Sequence, residues 1–232
     1  MTVGGPYLEK RSRGSSHEIA RLTAEALPEG SSILDVGTAT GTLGRILSPD
    51  RYRVVGIEPD PASAHVAAEH YERVFVGTLD EAPDEVIGSF DLVVCCDVLE
   101  HLVNPDAQLR RLVRAQRPLT KFILSVPNIA HLWVRLNLLV GRFDYADRGI
   151  LDRTHLRFFT QKGFLAMIDN AGLSPLWVRA TPVPLDLVHP FFLNSRTGRL
   201  LSSFQQVAVS SLPRLLGYQF VCFAQPAGQQ DE

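Results

Sequence analysis

Two periodicities alternate along the first half of the chain. Short apolar runs stand at 32–37 ("SILDVG"), 52–59 ("YRVVGIEP"), 73–77 ("RVFVG"), 90–98 ("FDLVVCCDV") and 121–128 ("KFILSVPN"). Between them, apolar residues recur at helical spacing, as in 17–27, 61–71 and 105–116, with a short helix over 41–47. Proline opens the helices at 61 and 105, where its missing N–H costs little. The run at 90–98 is apolar nearly throughout, as a strand covered on both faces should be. Strands alternating with helices predict right-handed crossovers and a mostly parallel sheet.

The alternation then breaks. Residues 128–158 carry no strand signal but include the apolar stretch "HLWVRLNLLVGRF" and "ILDRTHLRFF". A helix follows over 160–172, with Thr160 as its N-cap and Gly172 as its stop. A sixth strand is predicted at 175–183 and a last one at 217–225, with an apolar stripe at helical period over 196–212 between them. The pattern implies one domain over 1–232: a core over about 17–127, a lid insertion over about 128–158, and a helical insertion over about 184–216.

Composition narrows the function classes. The 232 residues carry a formal net charge of −2, without the basic face of a nucleic-acid binder. The adjacent Cys95 and Cys96 point to opposite faces of a strand, so no disulfide framework is expected and a cytoplasmic setting follows. No signal peptide and no transmembrane run of about 18 apolar residues is evident.

The chemistry gathers at strand ends. Gly37, Gly41 and Gly44 follow the first strand, with Asp35 just before them. In an open parallel sheet this place beside the switch in strand order binds nucleotide-like ligands. Glycines there admit close backbone approach, and a helix N-terminus adds oriented N–H groups. A dinucleotide turn prefers G-x-G-x-x-G, but this one reads G-T-A-T-G-T-L-G from Gly37. Glu58 ends the second strand about 20 residues on, where an acid can accept hydrogen bonds from ribose hydroxyls.

The stretch Asp35-Val-Gly37-Thr38-Ala39-Thr-Gly41-Thr resembles the first motif of the class I S-adenosylmethionine-dependent methyltransferases, with Ala39 in place of the middle glycine. "FDLVVCCDVLEHLVNP" is similar to that family's fourth-strand segment, and "DRTHLRFFT" to a stretch found in its small-molecule members. The resemblance implies a Rossmann-like, mostly parallel seven-stranded sheet with helices on both faces and the last strand antiparallel. It implies S-adenosylmethionine as cofactor, held by Asp35, Gly37, Thr38, Gly41 and Glu58. Thr78 and Leu79 would lie at the adenine, with Asp80 as an alternative acid, and Cys96 and Asp97 would face the methionine part.

Methyl transfer to a hydroxyl needs a base, and histidine suits that role near neutral pH. His155 lies in the lid insertion, with Asp152 three residues earlier as its orienting acid; His101, His131 and His17 are the other candidates. No metal-ligand spacing stands out. The acceptor is expected to be a small molecule such as a sugar, glycan precursor or secondary metabolite. The apolar lid leaves a lipid-linked acceptor open, and the stripe at 196–212 a homodimer contact. The rival readings are a nicotinamide-dependent oxidoreductase and a non-catalytic binding or assembly protein that keeps the fold.

Overall fold

The computed structural model describes residues 15–47, 51–185 and 195–228; the expected insertion over 184–216 therefore lies partly outside the described residues. The chain begins with helix α1 (Ser16–Ala24), whose N-cap Ser15 accepts a hydrogen bond from the Glu18 N–H. Five parallel strands follow: β1 (Ser32–Val36), β2 (Arg53–Glu58), β3 (Arg73–Val76), β4 (Leu92–Cys96) and β5 (Lys121–Pro127). Helices α2 (Thr42–Ile46), α3 (Pro61–Ala67), α4 (Asp84–Ile87) and α5 (Pro105–Ala115) connect them. After β5 come α6 (Leu132–Leu139), α7 (Gln161–Asn170), β6 (Leu173–Thr181), α8 (Arg196–Ser211), α9 (Pro213–Leu216) and β7 (Gln219–Pro226).

The seven strands form one sheet in the order β3-β2-β1-β4-β5-β7-β6. β7 runs antiparallel to both its neighbours, as the sequence resemblance implied. Strand order reverses between β1 and β4, and the C-terminal ends of strands at such a switch are where open α/β sheets bind ligands. Alternation along the strands sorts the core onto two faces. Leu34, Val93, Cys95, Phe122 and Leu124 pack with Leu109, Leu112, Phe164 and Ile168 of α5 and α7. Ile33, Val54, Val94, Cys96 and Ile123 pack on the other face with Ala20, Ala24, Leu43 and Ala67 of α1 to α3. Cys95 and Cys96 therefore separate as the alternation requires, and all three cysteines are free and buried.

Three local differences from the sequence pattern have physical causes. β6 starts at Leu173 rather than 175, because its pairing with β7 runs back to Pro226. Pro175, which offers no N–H to a ladder, sits instead at a register irregularity of this edge strand. α4 is a single turn, too short to show a period. Finally, α6 buries only Val134, against Ile150 and Leu151, while Trp133, Leu136, Leu138 and Leu139 stay half exposed or more. Among the described residues, no helix is long and apolar enough to cross a membrane.

The turn between β1 and α2 is built from left-handed backbone: Gly37 has φ 74°, Ala39 φ 46° and Gly41 φ 83°. The alanine in the middle-glycine position thus adopts a conformation that costs an L-residue about 1–2 kcal/mol. Glycine would relieve that strain but lose about 0.4–1 kcal/mol to unfolded-chain entropy. Ala39→Gly should therefore raise stability by about 0.5–1 kcal/mol in urea denaturation; a loss of stability would mean that the methyl group is a packing element.

Candidate active site

The ends of β1, β2 and β4 build one rim. At β1 the chain turns so that the N–H groups of Gly37 and Thr38 both donate to the Ile57 carbonyl, at 2.8 and 3.2 Å. A Cβ on Gly37 would lie 2.6 Å from Val98 Cγ2, so the turn closes directly on the loop after β4. Glu58, at the end of β2, is only 8% exposed. Its Oε2 accepts the Ala39 N–H at 2.8 Å and its Oε1 the Asp60 N–H at 3.0 Å. Burial raises the pKa of this carboxyl, and the two backbone bonds pull it back down. Each oxygen retains a second lone pair, the acceptor set that a ribose diol requires. The glycine turn, the buried acid and the adjacent helix N-terminus fit an adenosyl cofactor.

Asp35 is 3% exposed behind the turn, and its Oδ2 accepts the Tyr71 hydroxyl at 2.5 Å. Thr38 is buried and Gly41 precedes α2. Thr78 is exposed at the rim; its N–H and hydroxyl both donate to Glu81 Oε2. Glu81, not Asp80, is therefore the acid that shapes this loop, while Asp80 accepts from Gln108 of α5. Leu79 lies in the main core, 4% exposed.

On the β4 side, Cys96 is buried and Asp97 takes the left-handed φ of 59°. Asp97 Oδ1 accepts from Ser125 Oγ at 3.0 Å and Gln219 Nε2 at 2.6 Å, and Oδ2 accepts from Ser16 Oγ at 3.4 Å. One carboxylate thus ties α1, β5 and β7 to the end of β4. Sequence reasoning missed Ser16, Ser125 and Gln219; the signal available was a polar residue inside each of two apolar strands.

The insertion after β5 brings two of the histidines together. His101, in a short 3₁₀ turn (Leu99–His101), and His155 meet edge to face with ring centroids 4.8 Å apart. His155 Nδ1 lies 3.2 Å from the Ile150 carbonyl, which can only accept, so the neutral ring carries its proton on Nδ1 and its lone pair on Nε2. That Nε2 faces Glu100 Oε1 at 3.9 Å. Burial first, and then His101, hold His155 below its ordinary value of 6.5.

The Asp152 carboxylate turns to Thr154, its Oδ1 accepting the N–H and hydroxyl at 2.8 and 2.7 Å, and it acts on the His155 ring through its charge. The buried acid beside the ring nitrogen is Glu100, which sequence spacing hid because 55 residues separate the pair. His131 caps α6, accepting the Trp133 N–H on Nδ1 at 3.1 Å, which gives it a structural task. His17 lies beside Ser16 on α1, with its Nδ1 3.4 Å from the Ser16 hydroxyl.

Glu100, His101 and His155 also form a constellation that the sequence spacing did not reveal, with one ligand atom each, all within 4.8 Å of one another. Two ligands opposed across one ion at about 2.1 Å each would stand about 4.2 Å apart, so a metal would draw these side chains inward.

Comparison with known proteins gives the family and the fold. A curated ubiquinone biosynthesis O-methyltransferase from Xanthomonas axonopodis pv. citri is 29% identical over 160 residues, 66% of each chain. One of the same name from Hahella chejuensis is 31% identical over 126 residues, 48% of this chain and 52% of that protein. The chain thus spans two thirds or less of the length of these curated relatives.

The fold is shared with the magnesium protoporphyrin IX methyltransferase of Synechocystis PCC 6803, solved with bound SAH, at TM-score 0.61 and 15% identity over 90% of this chain and 80% of that one. It is also shared with the [4+2]-cyclase SpnF, at TM-score 0.58 and 20% identity over 98% and 88%. Likeness at this level speaks to the fold alone. A family model described as a methyltransferase domain matches residues 7–176, in agreement with S-adenosylmethionine as the cofactor. With most of its length matched, the chain belongs to the methyltransferase-domain family.

Proposed function

We propose that this chain is an S-adenosylmethionine-dependent O-methyltransferase acting on a hydroxyl of a small, predominantly apolar and flat acceptor. The observation that carries the cofactor half is Glu58, buried at the end of β2 and bonded to the glycine turn through the Ala39 N–H. When bound, the cofactor supplies a methyl group on a positively charged sulfur. Gly37, Thr38 and Gly41 would receive it along the backbone of the turn, Glu58 would accept from its sugar, and Asp97 would stand at the methionine side.

The acceptor half rests on the lid. Tyr145, Phe143 and Phe158 follow one another edge to face, with centroids 5.6 and 5.9 Å apart, and Phe158 lies 6.4 Å from His155. Tyr145 is 54% exposed, whereas the His155 side chain is 6% exposed, so the row leads from the surface to the base. Rings in this order favour an apolar planar body over a sugar, whose hydroxyls would find few partners among them. The ubiquinone-biosynthesis names of the curated relatives agree with an apolar acceptor.

In this reading His155 takes the hydroxyl proton on Nε2, the Ile150 carbonyl fixes the tautomer, and Glu100 stabilises the imidazolium that results. Holding the two reactants in line supplies the larger share of the acceleration, up to about 7–11 kcal/mol.

Two measurements test the two halves. Calorimetric titration should give binding of S-adenosylmethionine and S-adenosylhomocysteine, with Glu58→Gln weakening it about 10- to 100-fold. Binding of NAD instead would replace the reading by an oxidoreductase, and binding of none by an assembly protein. His155→Ala should leave that affinity intact and lower turnover at least about 100-fold on a phenolic acceptor. Because the base form is competent and its pKa is lowered, the wild-type rate should hold through neutral pH and fall only as pH drops through a value below 6.5. An unchanged rate in the variant would move the base to His101.

A further inference from the structure

The glycine-rich turn is shaped from behind as well as from the cofactor side. Tyr71 follows α3 and a short 3₁₀ turn (Ala68–His70), and is 8% exposed. Its ring lies where three glycines leave room for it. A Cβ on Gly44 would come within 2.4 Å of Tyr71 Cε2, one on Gly56 within 3.1 Å of Cδ1, and one on Gly41 within 3.3 Å of Cε2. Those glycines belong to α2, to β2 and to the turn itself. Gly44, which the sequence presents as part of a cofactor turn, is therefore a socket for an aromatic ring.

The hydroxyl completes the fit. Tyr71 Oη accepts the Gly44 N–H at 3.1 Å and donates to Asp35 Oδ2 at 2.5 Å. Gly44 lies in the first turn of α2, whose N–H groups have no carbonyl partner within the helix. One oxygen atom thus joins the last residues of β1 to the start of α2, across the turn that the proposed cofactor would rest on.

We infer that Tyr71 is a positioning residue for cofactor binding, holding the glycine turn in its receiving shape through the Asp35–hydroxyl–Gly44 relay. This rests on the cofactor reading above. The hydroxyl bonds to Gly44 and Asp35 behind the turn and not to His155, so its effect is on cofactor affinity and not on the chemical step. The state of Asp35 supports the same role. Burial pushes its carboxyl up to about 7, the Tyr71 bond opposes that rise, and Glu58 adds to it. The buried thiols Cys95 and Cys96 also feel its charge. Loss of the hydroxyl would leave Asp35 with only the influences that favour its neutral form.

Tyr71→Phe keeps the ring in its socket and removes the relay alone. Tyr52→Phe is the matched control. Tyr52 is equally buried, at 5%, packs on the same face of the sheet, and donates its hydroxyl to the Ala24 carbonyl at 2.9 Å, away from the turn. A purely structural role predicts that the two variants change cofactor affinity alike.

Under the inference, Tyr71→Phe weakens S-adenosylhomocysteine binding about tenfold while kcat at saturating cofactor stays within about twofold, and Tyr52→Phe changes neither. Hydrogen exchange without ligand gives an independent readout: the Gly44 amide should exchange about tenfold faster in Tyr71→Phe and not in Tyr52→Phe. Equal effects of the two variants on affinity would overturn the inference, as would Gly44 exchange left unchanged in Tyr71→Phe. Failure of the wild type to bind S-adenosylhomocysteine would overturn the cofactor reading itself, and the exchange result would then report only on the turn's shape.

Discussion

Two carboxylates buried on adjacent strands set the terms for the rest of the rim. Asp35 and Glu58 end β1 and β2 with exposures of 3% and 8%. A carboxylate taken out of water must find donors or give up its charge. Glu58 finds two backbone N–H groups, one of them from the turn after β1. Asp35 finds a tyrosine hydroxyl delivered from the segment before β3. Each solution draws a neighbouring loop inward, so the demand of the acids for partners organises the backbone that a ligand would meet. The strained φ at Ala39 is part of that arrangement, because it is the Ala39 N–H that Glu58 accepts.

Much of this was legible in the chain. The strand runs followed from periodicity, since a sheet covered on both faces leaves continuous apolar stretches, whereas the antiparallel last strand came from the family resemblance. The rim acids and glycines were legible because a nucleotide-type turn needs them at fixed offsets from a strand. Partnerships across long separations were not. Glu100 beside His155 depends on how a 30-residue insertion folds back over the sheet, and Asp152, three residues from His155, turned instead to the local Thr154 amide. A short polar side chain near a backbone donor tends to satisfy itself locally. Tyr71 gave no signal at all, because its meaning lies in three glycines on other segments.

The lid is economical in what it buries. Val134, Ile150 and Leu151 anchor it with Ile129 and Tyr218, while the aromatic row stays open toward the surface. A small anchor of this kind keeps the insertion in place with little apolar burial. Such segments lie at the low end of local stability, where movements that admit a substrate are least costly. The His155 side chain, 6% exposed, is the inner end of that row.

The antiparallel strand has a consequence for how the molecule assembles. β7 lies between β5 and β6, and its partners on β5 are about a hundred residues away in sequence. During synthesis, the five parallel strands have been made long before the strand that covers β5 exists. Until residues 219–226 leave the ribosome, β5 presents an unpaired apolar border to its surroundings, and β6 has no sheet to join. Contacts of such long separation slow folding, and open borders of this kind invite pairing with other chains. Nascent chains halted short of the final strand would be the species that most needs a chaperone.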